Sequence, residues 1–370
     1  MSESSTRLPG AATGHPGDPG AAPLGVGFLG GGAVTQAIHL PALARLAHLF
    51  TVRAVMDADE RTAISVADRV GARATTSVDA VLRDESVDVV VVCSPPQFHA
   101  EQVIAACRAG KRAVLCEKPF TTSADEASSV AQVSAETGVP VLVGTMHAYD
   151  PGWLAFAEAW GDLAGSAHHL RCSAVLPPNP RFEDLATEVT DRQPAAPPTA
   201  SSVEDRVNLL RNGILGLATH DLPLIRSFLT DPDRIVVQSA RTLTPFGYLV
   251  VFSCGEQVVE LHALISANWD PHWSLEVYGD DRVATVDFTP SYVQAGSAAA
   301  TIASGDRRML LGPFDSNGYV GEWQHLHDVA NGVSPRFDAS ELAADLTFAL
   351  ELAELAEAAL RGAHQPADVR

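Results

Sequence analysis

"GFLGGGAVTQAIHLPAL", residues 27–43, puts three consecutive glycines between an apolar run and a segment whose apolar residues recur at helical spacing. The run in front of them, "LGVGFL", starts at residue 24. Strand, glycine turn and helix is the setting in which a glycine-rich loop can hold a dinucleotide pyrophosphate. Gly30 lets the chain turn sharply. Gly32 lets the pyrophosphate approach bare main chain, and Ala33 and Val34 open the helix whose N–H groups and dipole face that anion. The third position of the pattern is Thr35 instead of Gly or Ala, so the helix is expected to pack slightly loosely on its strand. An ordinary tight turn would use the same glycines.

The rhythm continues outward. "VRAVMD" is a second apolar run and ends in Asp57, 25 residues beyond Gly32. A carboxylate there accepts both hydroxyls of an adenosine ribose and repels a 2′-phosphate, which favours NAD over NADP. Arg61, close by, keeps NADP open. "ERTAISVADRV" reads as a helix, "VDVVVVCSP" as a strand, "FHAEQVIAACRAG" as a helix closed by Gly110. "RAVLCEKP", "SADEASSVAQVSAETG" and "PVLVGT" continue the alternation, with a capping box from Ser123 to Glu126. Five near-continuous apolar strands alternating with helices predict an α/β protein whose doubly wound parallel sheet is covered on both faces.

After about residue 146 the pattern changes. One helix, "GWLAFAEAWGDL", is followed mainly by strands, several joined by short turns such as "CGEQ" and "GDD". That predicts a second region built on a large, open, mostly antiparallel sheet. It is interrupted by a Pro-rich loop, 177–202, which is either a lid or a disordered insertion, and by a helical stretch from Val203 to about Leu229. The organisation expected is a disordered tail (1–22), a dinucleotide-binding domain (23–146), a substrate and oligomerisation domain (147–340) and a C-terminal helix (341–370) packing back on the body. An open sheet needs its second face covered, which predicts a homodimer or homotetramer.

Composition excludes several classes. The 370 residues are 46% hydrophobic, enough for a sizeable core, and carry a formal net charge of -20, which repels nucleic acid and anionic lipid surfaces. No uninterrupted apolar stretch is long enough to span a bilayer. Five scattered cysteines without a CxxC pair read as free thiols in a reducing cytoplasm. The pairs His168-His169 and His325…His327 have no carboxylate or cysteine at ligand spacing, so no metal is expected.

"DVVVVCSPPQFHAEQVIAACRAGKRAVLCEKPF", residues 88–120, resembles the Gfo/Idh/MocA family of oxidoreductases, which act largely on sugars and polyols. The family pattern is carried by Ser94-Pro95, His99, Gly110-Lys111 and Glu117-Lys118-Pro119, and the first loop matches through His39 and Pro41. The resemblance implies a Rossmann domain, with Ser94, Pro95, His99 and Glu117 around the nicotinamide coenzyme. It also implies that Lys118 donates to a substrate hydroxyl or developing alkoxide. His220, in "GILGLATHDLPLIR", occupies the family's helix histidine and is the implied acid/base partner of Lys118. The family's Asp four residues earlier is Gly216 here, and Asp221 or Arg226 is left as a substitute. In "GTMHAYDP" the family's arginine is missing, Tyr149 fits its aromatic, and His147 and Tyr149 either line the site or pack. Trp269 and Trp273 read as packing more than as a sugar platform.

Together these imply an NAD(P)-dependent dehydrogenase acting on a secondary alcohol or ketone of a sugar, inositol or related polyol. Two alternatives stand beside it: an enzyme that retains NAD and uses transient oxidation for elimination or glycoside cleavage, and a silent NAD-binding sensor.

Overall fold

The computed structural model describes residues 22–192, 202–266, 270–334 and 339–363. All but the last residue of the expected N-terminal tail, and Trp269, lie outside the described residues.

Six strands form the first sheet: β1 (Leu24–Leu29), β2 (Phe50–Met56), β3 (Arg73–Thr75), β4 (Val89–Val92), β5 (Ala113–Cys116) and β6 (Val141–Val143). All are parallel, in the order β3-β2-β1-β4-β5-β6. The winding reverses between β1 and β4, and that crevice is where open α/β sheets bind ligands. The valine run of β4 is explained by burial on both sides: Val89 and Val91 face one core, Val90 and Val92 the other. β3 is the strand that the pattern does not foresee. Its three residues sit half-exposed at the sheet edge, too few to show a period.

Five helices follow the strands: α1 (Leu40–Arg45), α2 (Glu60–Val70), α3 (Val78–Leu82), α4 (His99–Arg108) and α5 (Ala124–Thr137). α1 and α2 pack on one face and α3, α4 and α5 on the other. The local signals act as their chemistry dictates. Asp59 caps α2, and Gly110 adopts φ +71 just past α4. Ser123 accepts from the Glu126 N–H, but the Glu126 carboxylate reaches Thr122, one residue before the cap, through both its N–H and its hydroxyl.

The second sheet has eight strands. They are β7 (His169–Leu176), β8 (Ile235–Leu243), β9 (Phe246–Cys254), β10 (Gln257–Ile265), β11 (His272–Tyr278), β12 (Val283–Asp287), β13 (Ala299–Ser304) and β14 (Arg307–Leu311). Their order is β14-β13-β12-β11-β7-β10-β9-β8, antiparallel except for β7 with β10. The terminal β13–β14 hairpin goes beyond the strands read from sequence; its outer strand is largely exposed and shows no alternation. Helices α6 (Pro151–Trp160), α7 (Pro180–Ala186), α8 (Val203–Gly216) and α9 (Leu222–Phe228) accompany this sheet. α7 lies within the stretch expected to be loop.

Two further helices join the sheets. α10 (Gly318–Ala330) buries Val320, Trp323, Leu326 and Val329 on one face of the first sheet. α11 (Ala339–Gly362) sends Leu342 and Leu346 to the opposite face of that sheet. Its later turns bury Phe348, Leu352, Ala356 and Leu360 in the core of the second. α11 therefore belongs to both cores. Among the described residues no helix is long and apolar enough to cross a membrane.

Lys111 of the Gly-Lys pair has a structural job. Its buried ammonium donates to the Asp84 and Val87 carbonyls, at 2.9 and 2.8 Å, and so closes the loop entering β4. Replacing it with Met leaves two carbonyls short of a donor, so Lys111→Met should lower unfolding stability by about 1–3 kcal/mol in urea denaturation.

Candidate active site

The glycine loop opens at the C-terminal end of β1. Gly30 has φ +109, and a Cβ there would lie 2.5 Å from the Cys93 carbonyl oxygen, so only glycine fits. Above Gly32 a Cβ would meet nothing within 4 Å, which leaves its main chain open to a phosphate-sized group. The chain turns helical at Ala33 and Val34. The packing at Thr35 is not loose. Thr35 is fully buried and its hydroxyl donates to the Gly30 carbonyl at 2.7 Å, fastening the helix to the loop.

Asp57 follows β2 directly. Its Oδ2 accepts from the Gly31 N–H at 2.8 Å and its Oδ1 from the Asp59 N–H at 2.9 Å. Each oxygen keeps a further lone pair, so ribose hydroxyls can still be received. The loop and carboxylate thus fit an adenosine diphosphate moiety. Across the crevice, His99 joins two loops, with Nε2 2.8 Å from the Ser94 carbonyl and Nδ1 2.9 Å from that of Pro119. The Ser94 hydroxyl donates to Gln102, and Pro95 is exposed beside it.

Part of the Pro-rich loop reaches this site. The Thr190 N–H donates to Gln36 Oε1 at 2.9 Å, while Gln36 Nε2 donates to the Gly31 and Thr190 carbonyls. The Thr62 hydroxyl donates to Asp191, and Arg69 donates to the Glu188 carbonyl and the Thr190 hydroxyl. Residues 188–191 are therefore a strap laid on the glycine loop and α2. Residues 193–201 lie outside the described residues.

Lys118 stands just past β5. Its ammonium donates to the Gly216 carbonyl at the end of α8, 2.9 Å away, and does not pair with Glu117. Burial pushes the Lys118 pKa down, opposed by the Glu117 charge. Glu117 faces His39 instead. Trp323 Nε1–H can only donate, and it donates to His39 Nδ1 at 3.2 Å; His39 Nε2 then carries the hydrogen and donates to Glu117 Oε1 at 3.0 Å. Burial works against the Glu117 carboxylate, yet His39 and Lys118 hold its pKa below the ordinary value. Glu322 is the other buried carboxyl here, 3.9 Å from His39 Nδ1 and without a hydrogen-bond partner among the described residues. Burial and the Glu117 charge push its pKa far up, so it is a neutral acid.

His220 does not lie within a helix. It ends a short 3-10 turn between α8 and α9, where Pro223 restarts the helix. It is buried with Nδ1 unpartnered among the described residues, and burial plus the charges of Lys118 and His147 push its pKa far down. His147 lies beside it, ring centres 5.9 Å apart. His147 Nδ1 donates to Asp221 Oδ1 at 2.8 Å, and Trp273 Nε1 donates to both Asp221 oxygens, at 3.1 and 2.9 Å. Phe288 stacks on the His147 ring at 3.8 Å.

The structure therefore brings Lys118, His220, His147 and Asp221 into one region. Tyr149 goes elsewhere, buried in the core with Trp323 and Leu326. Arg226 is committed to Asp345 and Glu341 and does not replace the missing carboxylate. Trp273 is core, as read, and is also the donor that fixes Asp221. Gln36, Glu322 and Trp323 escape a sequence reading because each looks like an ordinary helix residue; their partners are far away in the chain. Among the described residues no group of three His, Cys, Asp or Glu side chains is arranged to hold a metal ion.

Residues 24–145 match the profile of an oxidoreductase family with an NAD-binding Rossmann fold. An inositol 2-dehydrogenase of Paracoccus denitrificans is 27% identical over 229 residues, 60% of this chain and 60% of its own, so the chain matches less than two thirds of that enzyme. A D-xylose 1-dehydrogenase (NADP(+)) of Haloferax volcanii is 26% identical over 328 residues, 85% of this chain and 92% of its own. The structure of a UDP-N-acetylglucosamine 3-dehydrogenase from Acidithiobacillus ferrooxidans shares the fold, with a TM-score of 0.70 at 21% identity across 91% of this chain and 99% of its own.

The raised pKa of Glu322 has a consequence for stability. The native state keeps a proton that the unfolded chain releases above the ordinary carboxylate range, so stability falls as pH rises past it. Gln carries no such proton. Urea denaturation should show Glu322→Gln gaining on the wild type as pH rises above the ordinary carboxylate range.

Proposed function

We propose, for a chain that belongs to the Gfo/Idh/MocA oxidoreductases, that it moves a hydride between a nicotinamide coenzyme and a secondary alcohol or ketone carbon of a sugar, inositol or related polyol. The observation that carries this reading is the hydrogen bond from the Lys118 ammonium to the Gly216 carbonyl. It holds a half-buried cation at the crevice of the parallel sheet and beside the segment bearing His220, which is where a substrate oxygen would need it.

NAD, when bound, supplies the hydride acceptor at C4 of its nicotinamide. Gly30, Gly32, Ala33 and Val34 would receive the pyrophosphate and Asp57 the adenosine ribose, with NADP disfavoured by the Asp57 charge. Ser94, Pro95, His99 and Glu117 would border the nicotinamide half. Lys118 stabilises negative charge developing on the substrate oxygen. His220, kept neutral by burial and by Lys118, can accept a hydrogen bond from a substrate hydroxyl. The domains that do this are 23–146 and 147–340, with α11 bracing them. The open face of the second sheet would pair copies into a homodimer or homotetramer, and the free cysteines suit a cytoplasmic protein. The missing Asp at position 216 leaves a second reading open, an enzyme that keeps NAD bound and oxidises only transiently. Product formation without net NADH would distinguish it.

A panel of sugars and polyols with NAD, followed at the NADH absorbance, tests the main reading. At least one should be oxidised, and Lys118→Ala should cut kcat by roughly two to four orders of magnitude. NAD affinity should change by less than about threefold, or about 0.7 kcal/mol. Silence in both directions despite tight NAD binding would overturn it. Asp57→Ser should shift the ratio of kcat/KM for NAD over NADP at least about tenfold toward NADP, equivalent to about 1.4 kcal/mol.

A further inference from the structure

Gly216 removes a carboxylate from beside Lys118, yet a buried carboxylate is present one residue past His220. Asp221 receives the His147 Nδ1 hydrogen at 2.8 Å and the indole N–H of Trp273 on both oxygens. Because Nδ1 carries the His147 hydrogen, Nε2 is the basic nitrogen of the neutral ring. That Nε2 is buried and has no partner among the described residues, and the same is true of His220 Nδ1. The two rings lie 5.9 Å apart. Phe288 stacked on one side and Trp273 edge-on at 4.5 Å hold the His147 plane fixed. Buried nitrogens without partners on two neighbouring rings are rare in folded proteins and mark a place for a polar ligand atom.

The two histidines differ in what lies behind them. His220 has the Lys118 charge in its surroundings and no carboxylate on its ring. His147 has Asp221 on its far nitrogen, so a proton gained at Nε2 leaves an imidazolium held by a carboxylate. Resting on the oxidoreductase reading above, we infer that His147 is the group that takes the proton from the substrate hydroxyl, with Asp221 and Trp273 as its positioning residues. As the C–H hydride leaves the carbinol carbon for the nicotinamide, the O–H bond breaks and its proton goes to His147 Nε2. The Nδ1 hydrogen stays on its bond to Asp221, and reduction runs the same transfer backwards. The charged and titratable groups facing His147 are Asp221, His220, Lys118 beyond it, and Asp150 at the start of α6.

Two measurements on the full chain test this. The first needs no substrate: ¹⁵N-histidine-labelled protein, with His147 assigned through His147→Gln, should show the Nδ1–H tautomer, and Asp221→Asn should shift or abolish it. The second uses the polyol oxidised in the panel. Asp221→Asn should lower kcat at least about 100-fold with NAD affinity unchanged, and move the acid limb of the kcat/KM profile toward lower pH. Asp221→Glu, which keeps a carboxylate for His147 Nδ1, should retain at least about tenfold more kcat than Asp221→Asn, a difference that a merely structural defect would not produce. An Nε2–H tautomer, or an Asp221→Asn enzyme with kcat within about threefold and an unmoved profile, overturns the assignment alone. A wild type that turns over nothing defeats the oxidoreductase reading and this assignment with it.

Discussion

A half-buried ammonium organises this molecule. Lys118 sits where solvent balances only part of its charge, and its hydrogen bond to Gly216 ties the C-terminal edge of the parallel sheet to the end of α8. A charge in such a place needs a counter-charge nearby. Glu117 provides it, and is held ionised by Lys118 and by the hydrogen bond from His39, in a tautomer set by Trp323. Each group in this line depends on the one behind it. Trp323 belongs to α10, so the electrostatics of the crevice depend on a helix more than 200 residues away in the chain.

The same cation divides the acidic and basic groups around it. One carboxyl, Glu117, is held ionised; the other, Glu322, is held neutral by burial and by Glu117. Two such groups cannot both be charged in so dry a volume, and the hydrogen bond from His39 decides which one is. On the other side, His220 is kept neutral by burial and by Lys118, while His147 is joined to Asp221. Paired titratable groups with opposed environments are what proton transfer at neutral pH requires.

Much of this was legible in the sequence, for identifiable reasons. Strands buried on both faces have to be continuously apolar, so the valines of β4 announced the parallel sheet. Gly30 was legible because a tight turn against Cys93 leaves no alternative residue. What stayed hidden depends on contacts between distant segments. β3 and β14 are short or exposed and carry no period. The break at His220 comes from Pro223 and from the close of α8, within a stretch whose composition is helical throughout. That Asp221 would face His147, 74 residues earlier, follows from no local rule.

The residues at 147 and 216 make physical sense as a pair. A carboxylate at 216 beside Lys118 would stabilise the ammonium; its loss leaves the backbone carbonyl as the partner seen here. An arginine at 147 would place a permanent cation against Asp221, fixing a charge that could not move. Histidine at that position keeps the hydrogen bond to Asp221 but can gain and lose a proton. The carboxylate is thereby moved from the Lys118 side of the pocket to the far side of an imidazole. There it serves proton storage more than cation stabilisation. Trp273 completes the exchange, because its indole N–H holds Asp221 without adding a second charge.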